Sequence, residues 1–236
     1  MRYLWLICLF LFFSNCEDKK SKPKSTIQSV DSTQINLQSL KKTDSIIEPQ
    51  QQYPYLTEEN AMAFFDDYSK DNTEDKVRLT TDFGIIDIQL FDKVKYHKAN
   101  FIYLTKQKYF DNTQFYRVVK NFIIQGGSTD DPKVMGKRRN IGRYLLPPDT
   151  RHNYKHVRGV VSMPSSEIEN PHKLASPYEF FIVQNHNGAH HLDGNYTIFG
   201  KVINGMDVVD RIANQKTDDS EWPLQNIYIK KAEIIE

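Results

Sequence analysis

The chain predicts a mainly β domain, a closed barrel capped by helices. Two observations lead there. Short runs of alternating apolar and polar residues recur through the second two thirds of the sequence, and two well-separated segments with helical periodicity interrupt them. An aromatic content of 12% supplies a core, while a mean hydropathy of −0.60 requires long polar segments as well. A length of 236 residues suits one domain with extensions, and a net charge of +1 gives no reason to expect nucleic acid or an anionic substrate.

The elements follow in order. Arg2, an apolar run over residues 3–13 and Ser14-Asn15-Cys16 open the chain. That run is shorter than the roughly 20 residues of a membrane span and fits the hydrophobic region of a secretory signal. The cysteine resembles a bacterial lipoprotein processing site, with Asn15 where Gly or Ala is usual and Phe13 where Leu is usual. The reading is a signal peptide over 1–15 and a lipidated Cys16; a plain signal cleaved near the same point is the alternative. Residues 17–52 carry no apolar period and read as a disordered tether with a reach of about 30–35 Å, so 16–52 form one anchoring segment. Both cysteines, Cys8 and Cys16, lie in this leader, which removes thiol catalysis, zinc fingers and disulfides from the folded part.

Residues 53–75 form a helical extension. A helix opening at Thr57 has Glu58 and Glu59 in its first turn and Ala61, Phe64, Phe65 and Tyr68 on one face, which packs on the domain that follows. The domain itself spans 76–236. Val77 and Leu79, then Ile86, Ile88 and Leu90, alternate about Asp82-Phe83-Gly84 as a hairpin. Residues 99–105 and 206–213 are the two capping helices, and Ile227 and Ile229 belong to a closing strand. Lys137-Arg138-Arg139 reads as a solvated loop, since no aromatics interleave its charges. His186, His190 and His191 beside Asp193 do not have metal-ligand spacing, and Asn185-His186-Asn187-Gly188 reads as a turn.

The stretch from Phe115 to Gly127 carries the chemistry. Two β-rich runs flank Lys120-Asn121, and pairing about that turn sets Arg117 opposite Gln125, with Ile123 on the face of Gln125. A cation, an amide and an apolar side chain share one patch, with no nucleophile, titrating acid or metal ligand. Such a surface binds and polarises a peptide group without hydrolysing it.

This segment resembles the core motif of the cyclophilins, the peptidyl-prolyl cis-trans isomerases. Gly159-Val160-Val161-Ser162-Met163 with Glu179-Phe180-Phe181-Ile182 is similar to the family's middle block, and residues 192–202 to its later block. The resemblance implies a closed antiparallel barrel of about eight strands capped by two helices, no cofactor, and proline-containing polypeptides as partners. It implies that Arg117 and Gln125 are catalytic, that Phe122, Ile123, Phe181 and Leu192 wall a proline pocket, and that Pro164 and Ser165 contact the residues before proline. Three positions depart from the family: Glu179 stands where Gln is usual, His191 where many members have Trp, and Tyr196 where many have His. Glu179 could accept a substrate N–H or pair with Arg117, and His191 predicts weak cyclosporin inhibition. The expected function is a prolyl isomerase for exported proteins, monomeric by default and anchored in a bacterial cell envelope, facing the periplasm or the outside. A tethered proline-binding module with little turnover is the alternative, and Glu179 is the feature that favours it.

Overall fold

The computed structural model describes residues 53–165 and 170–236. The expectations for the signal peptide, Cys16 and the tether lie outside the described residues. The chain runs β1 (Leu56–Thr57), α1 (Ala61–Asp71), β2 (Lys76–Thr81), β3 (Gly84–Leu90), α2 (Lys95–Lys106), β4 (Thr113–Val119), β5 (Ile123–Ser128) and α3 (Pro132–Ile141). It continues through β6 (Gly142–Arg143), β7 (Val160–Ser162), β8 (Phe180–Val183), a 3-10 turn (His190–Leu192), β9 (Ile198–Asn204), α4 (Met206–Ala213) and β10 (Tyr228–Ile235).

Eight strands close a barrel in the order β10-β2-β3-β9-β7-β8-β5-β4, every pair antiparallel. Closure removes the exposed edges an open sheet would carry. Alternation along each strand sends one set of side chains inward, where Phe101 of α2 meets Phe110 at 4.8 Å and Phe199 at 5.2 Å, and Phe180 meets Phe115 at 6.0 Å. The interior is a packed aromatic core, so the outer faces are left to carry the chemistry.

The extension docks as expected, but by other means at its start. Thr57 lies in β1, not in the helix; α1 begins at Ala61, and no acid occupies its first turn. The Asn60 side chain accepts a bond from Thr57 N at 2.8 Å instead of capping the helix. Phe64 and Tyr68 of α1 meet Tyr103 of α2 at 5.1 and 5.4 Å, with Tyr53 wedged between at 5.3 Å from Tyr103. β1 also pairs in parallel with β6, Leu56 opposite Gly142. A Cβ at Gly142 would sit 2.0 Å from the Leu56 carbonyl, at a φ of +144°, so only glycine admits this contact.

The helix count also differs. The basic stretch 137–139 belongs to α3, not to a loop: Asp131 accepts from Lys133 N at 2.7 Å and Pro132 takes the first turn. Only Val134 and Ile141 of α3 are buried, so the segment lacks an apolar period. The described residues therefore hold four α-helices where three were expected.

Candidate active site

The β4–β5 hairpin builds the centre. Its register sets Arg117 opposite Gln125, across a turn in which Asn121 takes a φ of +60°. β4 bulges at Tyr116, since Phe115 faces Gly126 and Arg117 faces Gln125 with one residue between. The bulge puts Tyr116 beside Arg117 on the outer face, and the Gln125 amide nitrogen donates to the Tyr116 hydroxyl. The turn is held from behind: Gln184 N donates to the Phe122 carbonyl at 2.8 Å, and its side-chain oxygen accepts from Asn121 N at 2.9 Å. Asp210 of α4 in turn binds the Gln184 amide at 2.8 Å and Arg158 at 2.6 Å.

Beside this polar centre lies a second apolar cluster, separate from the barrel core. Ile123, Phe181, Val183 and Ile198 form its floor, with Phe122, Leu192 and Tyr196 packed against it. His191 stacks on Phe122 with ring centres 5.2 Å apart, and Tyr196 meets Phe181 edge-on at 6.0 Å. An imidazole thus lines the rim at the position that departs from the family. Pro164 and Ser165 lie past the end of β7, where the Pro164 carbonyl accepts from Ser176 N at 2.9 Å.

Arg117 has a carboxylate partner, but not Glu179. Its Nε donates to Glu221 at 2.6 Å, and both side chains are partly exposed, at 36% and 41%. Glu221 sits at a φ of +65° in the loop between α4 and β10, and its carbonyl accepts from Val118 N of β4 at 2.9 Å. The same loop brings Trp222 to 5.7 Å from the Tyr116 ring. Glu179 instead lines a neighbouring cleft with Tyr116 and Ser176.

Nothing in the sequence marks Tyr116, Glu221 or Trp222 as neighbours of this centre, or the Ser–His–Asp arrangement behind the apolar cluster. His156 Nδ1 lies 3.0 Å from Asp193, and its Nε2 lies 3.3 Å from Ser162 Oγ. The geometry looks like a hydrolytic triad. However, Ser162 and His156 are fully buried, and the serine hydroxyl donates to the Thr197 carbonyl at 2.8 Å. No substrate carbonyl can reach it. Burial pushes the His156 imidazole below its ordinary range, against the pull of Asp193. Burial alone would raise the Asp193 carboxyl, but hydrogen bonds from His156 and His190 hold it down at about 2. The imidazole lies nearly parallel to the Phe181 ring, at 6.0 Å and 14°. It props Phe181 within the apolar cluster.

Residues 76–234 match the family model of the cyclophilin-type peptidyl-prolyl cis-trans isomerases. The chain belongs to that family. It is 37% identical over 161 residues to an Arabidopsis thaliana peptidyl-prolyl cis-trans isomerase, covering 67% of this chain and 94% of that protein. A Dictyostelium discoideum isomerase-like protein is 35% identical over 162 residues, with 94% of its length matched. A Rhizopus delemar isomerase-like protein is also 35% identical, but this chain spans only 30% of its length. Among solved structures, a Cryptosporidium parvum cyclophilin-type isomerase superposes with a TM-score of 0.57 at 31% identity, covering 69% of this chain and 98% of its own. That enzyme was also solved in the presence of the dipeptide Ala-Pro, with a TM-score of 0.55. The chain is thus a cyclophilin-type isomerase with residues 53–75 lying before the matched segment.

Proposed function

We propose that this cyclophilin isomerises X-Pro bonds of exported polypeptides through Arg117, while tethered to a membrane by a lipid on Cys16. The observation that carries the catalytic part is the union of Arg117 and Gln125 in register beside the cluster of Phe122, Ile123, Phe181 and Leu192.

A prolyl amide resists rotation by about 18–20 kcal/mol because resonance gives its C–N bond double-bond character. In the twisted transition state that resonance is lost and the nitrogen regains a lone pair. A donor fixed toward that nitrogen favours the transition state over both planar ground states, the requirement for catalysis. Arg117 supplies the donor. Its Nε is committed to Glu221, which leaves the terminal N–H groups for substrate. Gln125, held by the Tyr116 hydroxyl, binds the substrate backbone, and the apolar cluster takes the ring, which has no donor to satisfy. No covalent intermediate forms, and no cofactor enters the scheme.

The anchoring part rests on the amino terminus alone: a short apolar run, a cysteine, and an abrupt change to polar residues. The named relatives are eukaryotic proteins, and this leader lies outside the matched segment.

The test is prolyl isomerisation of a short proline peptide by the full-length chain beside its Arg117→Ala variant. Loss of one well-placed donor costs about 2.7–4 kcal/mol, so kcat/KM falls by roughly two to three decades. A variant that keeps half the activity removes Arg117 from the mechanism. For the anchor, Cys16→Ser should release the protein from membranes in a host that lipidates such signals; retention in the membrane fraction would refute it.

A further inference from the structure

Alongside the isomerase centre runs a cleft of about 1110 Å³. Tyr116 and Glu179 line it on the side of the centre, Tyr55 and Glu58 of the extension on another, and Trp222 of the α4–β10 loop closes a third. It is continuous with the centre through Tyr116, which holds Gln125, and through Ser176, which binds the Pro164 carbonyl.

The arginines distinguish this cleft. Eight lie in the described residues, and five of them pair with carboxylates: Arg78, Arg117, Arg151, Arg158 and Arg211. The other three, Arg138, Arg139 and Arg143, all line this one cleft, and among the described residues none has a carboxylate within ion-pair distance. Arg138 lies over the Tyr178 ring, 4.7 Å from its centre, which orients the guanidinium. Arg143 is fixed by the backbone pairing of β6 with β1, through the close approach at Gly142. Three cations against Glu58 and Glu179 leave a local positive excess on a chain that is nearly neutral overall.

We infer that this cleft, completed by the N-terminal extension, binds a carboxylate-bearing stretch of the substrate polypeptide preceding the proline. The inference rests on the isomerase reading. Guanidinium groups match carboxylates in fork geometry, and the aromatic rings beside them add apolar contact for the intervening chain. The cleft therefore selects acidic segments among X-Pro substrates, a preference the centre alone has no charge to express, since Arg117 is already paired.

The test uses the full-length chain and a series of proline peptides carrying Glu, Gln or Lys at each of four positions before and after the proline. Charge contacts of exposed arginines are each weak, so the expected Glu-to-Lys ratio in kcat/KM is about five to ten at low salt, confined to positions before the proline. The ratio falls toward one at high salt and in the Arg139→Gln/Arg143→Gln double variant, and it inverts in Arg139→Glu/Arg143→Glu. A ratio near one in the parent protein, a ratio that survives in both double variants, or a preference confined to positions after the proline overturns the inference. Peptide affinities measured by calorimetry read the same series without turnover. An inactive protein that still binds acidic peptides more tightly would sink the isomerase reading and keep this one.

Discussion

Replacing Glu221 by alanine sets two effects of opposite sign against each other at Arg117. A carboxylate 2.6 Å from Nε holds the guanidinium in place, and it also offsets part of its charge. An unheld arginine recovers up to about 2 kcal/mol of rotamer freedom, which must be given up again each time the donor meets the transition state. The opposing gain is smaller. A substrate nitrogen on the far side of the guanidinium lies about 7 Å from the carboxylate, where a full unit charge would feel about 2.4 kcal/mol at the effective dielectric of a protein surface, and a lone pair with a fraction of that charge feels about 1 kcal/mol or less. Positioning wins, so Glu221→Ala should lower kcat about threefold to tenfold with KM nearly unchanged. Glu221→Gln keeps an acceptor for Nε and should retain most activity. The assay is protease-coupled or direct NMR exchange of a proline peptide, run in parallel on Arg117→Ala and the double variant. In the Arg117→Ala background, removing Glu221 should cost nothing further. If both Glu221 variants become faster, neutralisation outweighs orientation and the reasoning fails.

The remaining predictions concern other parts of the fold. His97 is buried with neither ring nitrogen hydrogen-bonded, and burial pushes it down to about 4 from 6.5. The unfolded chain therefore takes up its proton first as pH falls, so stability is full above about 6.5 and declines toward 4, by about 3 kcal/mol in all. His97→Phe should flatten that part of the denaturation profile, and an unchanged slope would refute the assignment. His191→Trp should improve cyclosporin inhibition at least tenfold over a weakly inhibited parent; nanomolar inhibition of the parent would contradict the role given to His191. Gly142→Ala places a methyl group on the Leu56 carbonyl and should lower the thermal midpoint by several degrees while detaching β1, seen as faster hydrogen exchange at residues 56 and 57.

Much of the centre was readable in the sequence because a hairpin of β-branched and aromatic residues has only one register that buries its apolar set. Arg117 and Gln125 follow from counting residues about Lys120-Asn121. The bulge at Tyr116 did not follow, since it depends on how β4 meets both β5 and β10. Glu221 was invisible for another reason: 104 residues separate it from Arg117, and an acid in a polar loop carries no mark of its partner. Glu179 drew attention instead because it departs from the family, although the contact to Arg117 belongs to the loop. α3 was missed because it turns mostly polar residues to solvent, yet Asp131, Pro132 and Gly142 marked both of its ends. The same punctuation misled at α1, where Asn60, not Thr57, stands before the first helical residue.

The extra residue in β4 has one more consequence. Phe115 and Val118 both point into the barrel, so the strand changes phase between them, and Tyr116 is surplus to its pairing with β5. A chain shortened by that one residue would pair without interruption from Phe115 to Val119, with Arg117 still across from Gln125 and the offset at Gly127 of β5 left in place. It would lose the hydroxyl that holds Gln125 and the ring that meets Trp222. The barrel carries Tyr116 as a passenger, while the outer surface depends on it, so a single codon separates a scaffold from a furnished site.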